Sequence, residues 1–296
     1  MSRLLKKHLF RIFILAIMAS PSTGAVAAVS TRFTVSVSGQ GPNVILIPGL
    51  ASSSHVWDAT VARLVPHYRV HVLQIAGFAG TAAGANADGP ILEPIIADLH
   101  TYIADHHLKA PAVIGHSLGG LIGMRLAIAH PGDVGRLMIV DSLPFLGLLR
   151  GPQATVDAIT PGAEAMRAKI MGATQEAFAA SEAPMMARLI KSKNAEAQQA
   201  AAAAAASDHR VVAQALYDDM TTDARPGLPS ITAPVTILYP WDEASGIPQP
   251  IDDSFYQSAF AAVPHATLKR IDGSYHFIMI DQPEAFQVAI DGFLKP

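Results

Sequence analysis

The sequence predicts an α/β fold in which a mostly parallel sheet is covered by helices on both faces and is interrupted by one long helical insertion. Three observations carry this. Short apolar runs bounded by turn residues recur along the chain, helical runs lie between most of them, and from Pro144 to about Pro229 no convincing strand occurs. Strands buried on both faces read as continuous apolar runs, so a covered parallel sheet follows from the pattern.

Taken in order, the first element is a targeting segment. Arg3, Lys6 and Lys7 precede an apolar stretch from Ile12 to Ala19, and Ala25-Val26-Ala27-Ala28 offers small-residue cleavage sites. This predicts a signal peptide over residues 1–28 and an exported protein, periplasmic or secreted. The apolar stretch falls short of the roughly 20 residues a spanning helix needs, so no stable membrane span is expected after its removal.

Thr31 to Ser38 alternates apolar and polar as an edge strand does. Val44–Ile47, Val70–Ile75, Ala112–Ile114, Leu137–Val140, Val235–Leu238 and Thr267–Ile271 read as central strands. The insertion is rich in alanine and methionine, with the run Ala200–Ala206, and is too long to be a loop. The expected division is a core of residues 29–143 and 230–296 with a helical cap over 144–229. Met166, Met171, Met185, Met186 and Phe178 are candidates to line an apolar pocket beneath it.

Composition narrows the function classes. A chain of 296 residues can bury a large core, and half of it is hydrophobic, with mean hydropathy +0.31. Formal net charge is −3; without Arg3, Lys6, Lys7 and Arg11 the 21 basic residues become 17 against 24 acidic ones, net −7. Such a surface, with no basic run, does not fit nucleic acid or anionic lipid as a partner. Cysteine is absent, which removes thiolate chemistry, disulfides and cysteine-based metal sites. His55, His67, His71, His100, His130 and His265 lack a second ligand at useful helical spacing, and His106, His107 and His209 read as solvated, so no metal and no cofactor are expected.

Gly115-His116-Ser117-Leu118-Gly119 is the most informative stretch. It joins the strand run Ala112–Ile114 to a helical run over Leu121–Ala129, and a strand turning abruptly into a helix strains the residue between. Glycines on both sides remove the side chains that would collide there. Ser117 is thereby pushed out as an exposed hydroxyl, and the Leu118 N–H at the helix start points at whatever negative charge builds beside it. Two partners lie downstream, each just past a strand: Asp242 in Pro240-Trp241-Asp242-Glu243, and His276 in Asp272-Gly273-Ser274-Tyr275-His276-Phe277. Asp141, after the strand Leu137–Val140, is the rival acid. His116 is expected to serve packing, and Ser52-Ser53-Ser54 to cap a helix ahead of Val56 and Trp57.

With these residues the chain resembles the α/β-hydrolase superfamily, in its cap-bearing esterase and C–C hydrolase branch, from about Thr31 to Pro296. Ser117, Asp242, His276 matches the family's chain order of nucleophile, acid and base. Asn43–Leu50 resembles the first central strand and oxyanion loop, with Pro48 where many relatives carry histidine. Gln74–Gly80 is similar to the glycine-rich turn after the next strand, without the usual acidic-Pro-Gly start. His276–Pro283 looks like the histidine loop before the last helix. The resemblance implies backbone N–H groups of Leu50 and Leu118 as the oxyanion hole. It places the acid after the strand that follows the cap, favouring Asp242 over Asp141.

The function expected is a serine carboxylic-ester hydrolase acting on a small apolar acyl substrate through an acyl-enzyme. The alternatives are a C–C bond hydrolase, an acyltransferase or a cofactor-free haloperoxidase on the same fold, or a non-catalytic binding protein.

Overall fold

The computed structural model describes residues 30–295; the expected signal segment lies outside the described residues. In chain order the elements are β1 (Phe33–Ser38), β2 (Asn43–Ile47), α1 (Asp58–Leu64), β3 (Arg69–Ile75), α2 (Leu92–Asp105), β4 (Ala112–His116), α3 (Leu118–Ala129) and β5 (Arg136–Val140). Four helices follow without a strand: α4 (Val156–Met171), α5 (Gln175–Leu189), α6 (Ala195–Ala206) and α7 (His209–Thr221). The sheet resumes with β6 (Val235–Trp241), α8 (Gln249–Ala259), β7 (Ala266–Asp272), a one-turn α9 (Ile278–Asp281) and α10 (Pro283–Leu294). Each strand read from the sequence is present, with ends displaced by at most three residues.

The seven strands run in the order β1-β3-β2-β4-β5-β6-β7. Among the described residues only β1 is antiparallel, paired with β3; the other neighbours are parallel. Val44 to Ile47, Val113, Ile114 and Leu137 to Val140 are completely buried, as strands covered on both faces must be. β1 shows its edge position in a buried Phe33 and a half-exposed Val37. Among the described residues, no helix is long and apolar enough to cross a membrane.

The helical insertion is tied to the sheet at its own turns. Between α6 and α7, the Ser207 hydroxyl accepts from the Ala79 N–H at 2.8 Å and has two carbonyls in reach of its single proton, Ala203 at 3.0 Å and Ala51 at 3.3 Å, while the Asp208 N–H donates to the Gly77 carbonyl at 2.8 Å. On α7, the Asp218 carboxylate accepts from the Ile91 and Leu92 N–H groups at the start of α2, at 2.6 and 3.1 Å. That is where a helix favours a negative charge. Met166, Met171 and Met185 are exposed, whereas Phe178 and Met186 are buried. None of these five side chains lines the groove of about 720 Å³, which is walled by Ala200, Ala203 and Ala206 of α6 against Ser52, Val56 and Phe277; Met186 instead borders a small hollow with Ile190 and Ala197.

The strand-to-helix turn at Ser117 works only because of its glycines. A Cβ on Gly119 would stand 2.3 Å from the Ile47 carbonyl oxygen and 2.7 Å from that of Pro48, both backbone atoms that cannot step aside. Gly119→Ala is expected to cost about 3 kcal/mol by overpacking and to lower Tm by about 6–12 °C. Gly132→Ala, where nothing lies within 4 Å, is the control and should melt within about 2 °C of the parent. Thermal denaturation of both variants checks this.

Candidate active site

Strain collects at one end of the sheet. Ala51, Ala79, Ser117 and Asp141 have φ of 54°, 52°, 53° and 42°, a region that L-residues rarely occupy, and they follow the C-terminal ends of β2, β3, β4 and β5. Each such residue costs on the order of 1–3 kcal/mol and persists only where surrounding contacts hold it. For Ser117 these contacts are explicit. Its N–H donates to the Val140 carbonyl at 3.0 Å, and its own carbonyl accepts from Gly120 and Leu121 at 2.8 and 3.2 Å, closing the first turn of α3. The serine is half-buried and caps the helix with φ 53° and ψ −122°.

The Pro48-Gly49-Leu50 turn lies against this serine. A Cβ on Gly49 would come 3.0 Å from the Ser117 Cβ and 3.0 Å from the His116 Nδ1. Among the described residues, neither the Leu50 N–H nor the Leu118 N–H donates a hydrogen bond within the protein. Both donors remain available to a negative charge formed beside Ser117. Ser53 caps the short helical turn Ser54–Trp57 by accepting from the His55 N–H, as the serine run suggested.

The histidine loop is where structure and sequence expectation part. The His276 Nδ1 hydrogen-bonds the Asp141 Oδ2 at 2.6 Å, not Asp242. An ionised carboxylate only accepts, so Nδ1 carries a proton, and in the neutral ring Nε2 then presents its lone pair. The Tyr256 hydroxyl of α8 donates to the other oxygen, Asp141 Oδ1, at 2.6 Å, and its ring stacks on Tyr239. Burial pushes the Tyr256 phenol far above its usual range, which keeps it a donor. Burial also acts to raise the Asp141 carboxyl, but His276 and Tyr256 outweigh it and hold the group below the ordinary carboxylate range.

Asp242 is engaged elsewhere. Its Oδ2 pairs with the Lys191 ammonium from the connection between α5 and α6, and its Oδ1 accepts from the Ala244 N–H at 2.9 Å. The Lys191 hydrogen bond, with that of Ala244, holds its carboxyl low. The assignment of Asp242 beside His276 is thus corrected, and the reason is register. β4 pairs with β5 such that His116 lies opposite Val140, which sets Ser117 next to Asp141, whereas Asp242 lies one strand further on. Tyr256 and Lys191 were absent from the sequence reading because nothing local marks them: each meets its partner across more than 50 residues.

His116 does more than pack. Fully buried, its Nε2 donates to the His276 carbonyl at 3.0 Å and so supports the loop from beneath. Burial, then the nearby His276, push its imidazole down to about 3, so it stays neutral. Asp281 fastens the same loop from above, accepting from the N–H groups of Tyr275, Lys191 and Ser192 at 2.8 to 3.1 Å.

Away from this end of the sheet, a cluster arises that helical spacing alone did not reveal. His100 of α2 and His130 and Asp133 beyond α3 place one ligand atom each within 4.8 Å of one another. His71, by contrast, is a satisfied core histidine between Tyr102 and Asn43.

Asp219 of α7 also escaped the sequence reading. Half-buried, its carboxyl is pushed up to about 7 by burial; the nearby His276 opposes the shift and Asp218 adds to it. Because the folded value lies above the unfolded one, the native state holds this proton more tightly. The resulting destabilisation is absent below about pH 4, grows as pH rises between there and 7, and is complete above. Asp219→Asn should therefore melt above the parent at pH 8 and together with it at pH 4. A pH-independent difference in Tm would contradict the reading.

Comparison with known proteins places this geometry. Residues 44–287 match the model of the alpha/beta hydrolase family. The putative carbamate hydrolase RutD of Yersinia enterocolitica is 35% identical over 103 residues, 35% of this chain and 37% of that protein, so the match spans little more than a third of the relative. The pimeloyl-[acyl-carrier protein] methyl ester esterase of Aliivibrio salmonicida is 26% identical over 87% of this chain and 94% of its own. A solved hydrolase of Pseudomonas aeruginosa shares the fold with TM-score 0.74 and 20% identity, over 89% of this chain and 94% of its own. With its sheet order, strand-to-helix serine and family match over most of its length, the chain belongs to the alpha/beta hydrolase family.

Proposed function

We propose that the chain is a serine carboxylic-ester hydrolase with Ser117 as nucleophile, His276 as general base and Asp141 as the acid that orients it. The observation that carries this is the Nδ1 hydrogen bond of His276 to Asp141, made beside the strained turn that carries Ser117. The similarity to a methyl ester esterase over most of both chains supports the ester as substrate.

In this mechanism the Ser117 hydroxyl attacks the ester carbonyl while His276 Nε2 takes its proton. The new negative charge on the carbonyl oxygen meets the N–H groups of Leu118 and Leu50, and Asp141 stabilises the imidazolium. Collapse breaks the bond to the leaving alcohol, which receives the proton from His276. Water, deprotonated by the same imidazole, then attacks the acyl-serine and regenerates Ser117. The apolar groove walled by α6 is the proposed seat of the acyl or alcohol chain, and the helical insertion acts as the cap that closes it. The basic, apolar and small-residue sequence of residues 1–28 supports export as the setting of this activity.

Turnover of p-nitrophenyl esters and labelling by a fluorophosphonate test the assignment. Ser117→Ala should remain folded, lose labelling and lose at least about three orders of magnitude in kcat/KM. Asp141→Asn should lose about three to four orders, because the amide can hold the wrong tautomer of His276, while Asp242→Asn should lose less than about tenfold. Turnover of Ser117→Ala within tenfold of the parent would sink the nucleophile. The reverse ranking of the two aspartates would move the acid to Asp242.

A further inference from the structure

The second cluster of chemistry-bearing side chains lies at the other end of α3. Ser117 and His130 flank the two ends of α3, whose twelve residues separate the two sites by about 18 Å. There the His100 Nδ1 meets the Asp133 Oδ2 at 2.6 Å, and the rings of His100 and His130 lie face to face, 3.8 Å apart and 6° from parallel.

The frame around these groups is stiff. The His130 N–H donates to the Leu126 carbonyl at 2.8 Å and the Asp133 N–H to the His130 carbonyl at 2.9 Å, fixing the turn that carries two of the three. Five residues earlier on α3, Arg125 pairs with Glu93 of α2 at 2.8 Å, a surface contact between the two helices. Sites built on rigid elements lose little order when they take a ligand.

We propose that His100, His130 and Asp133 form a divalent transition-metal site, of the Zn²⁺ type, distinct from the active site. Two imidazole nitrogens and a carboxylate oxygen suit Zn²⁺, Co²⁺ or Ni²⁺, whereas Mg²⁺ and Ca²⁺ prefer all-oxygen shells. Bonds of about 2.0–2.2 Å in a tetrahedron hold ligand atoms about 3.3–3.5 Å apart, so the present spread of up to 4.8 Å closes by roughly an ångström. Stacked rings direct their lone pairs along parallel planes. Ligation therefore turns one ring about its Cβ–Cγ bond, and His100, whose side chain is 43% exposed, has room to do so. If His100 binds through Nδ1, the single proton of the neutral ring moves to Nε2. Asp133, mostly buried, supplies the charge, and water fills the remaining position.

At that distance from Ser117 the ion acts on the fold and not on the ester: it clamps α2, α3 and the turn into β5. The test is thermal denaturation and calorimetric titration of the chelator-treated full-length protein with ZnCl₂, with MgCl₂ as comparison. At 100 µM ZnCl₂ and a micromolar Kd the Tm should rise by about 5–10 °C with one ion bound per chain, and MgCl₂ should give no shift. His100→Gln and His130→Ala should each lose most of the Zn²⁺-induced rise. Should one variant fail to fold, the other supplies the comparison. No rise in the parent, or the same rise in the parent and the folded variants, would overturn the site.

Discussion

The pairing of β4 with β5 extends one step beyond the strands, where the Ser117 N–H donates to the Val140 carbonyl at 3.0 Å, and the candidate site depends on this bond. It fixes the serine at positive φ beside Asp141, itself held at positive φ with its N–H on the Leu238 carbonyl. The nucleophile candidate and the carboxylate that meets His276 thus come from neighbouring strands of a sheet whose centre is completely buried. Neither residue has local freedom to relax, so the geometry is set before a substrate arrives.

The helical insertion is joined to that geometry at several points. Asp281 ties the histidine loop to Lys191 and Ser192, Lys191 takes up Asp242, and Ser207 links Ala51 to Ala79. The strained Ala79 is thereby held through Ser207, and the histidine loop through Asp281. Movement of the insertion would reach the candidate site through these polar links.

Much of the fold was legible because its signals are local. A strand buried on both faces needs a run such as Val44–Ile47 whatever surrounds it, and a strand turning into a helix needs glycine at 115 and 119. The strand-to-helix turn at Ser117 and the loop of His276 were legible for the same reason, each from its own stretch of sequence. The carboxylate that meets His276 was not, since Asp141 and Asp242 both follow a strand and differ only in what reaches them: Tyr256 and His276 for one, Lys191 for the other. Those contacts depend on strand order and on the docking of the insertion, which no local pattern encodes. The same limit explains the pocket wall, where methionine suggested an apolar lining but alanine leaves the space, and the His100, His130 and Asp133 cluster, which needs α2 laid beside α3.

The central claim is that the imidazole of His276 is held by Asp141. Proton NMR of the imidazole N–H region tests it most directly, because a proton shared between Nδ1 and a carboxylate at 2.6 Å is strongly deshielded and shielded from exchange. The account predicts one such far-downfield resonance in the parent, retained in Asp242→Asn and lost in Asp141→Asn. Its loss in Asp242→Asn with retention in Asp141→Asn would contradict it.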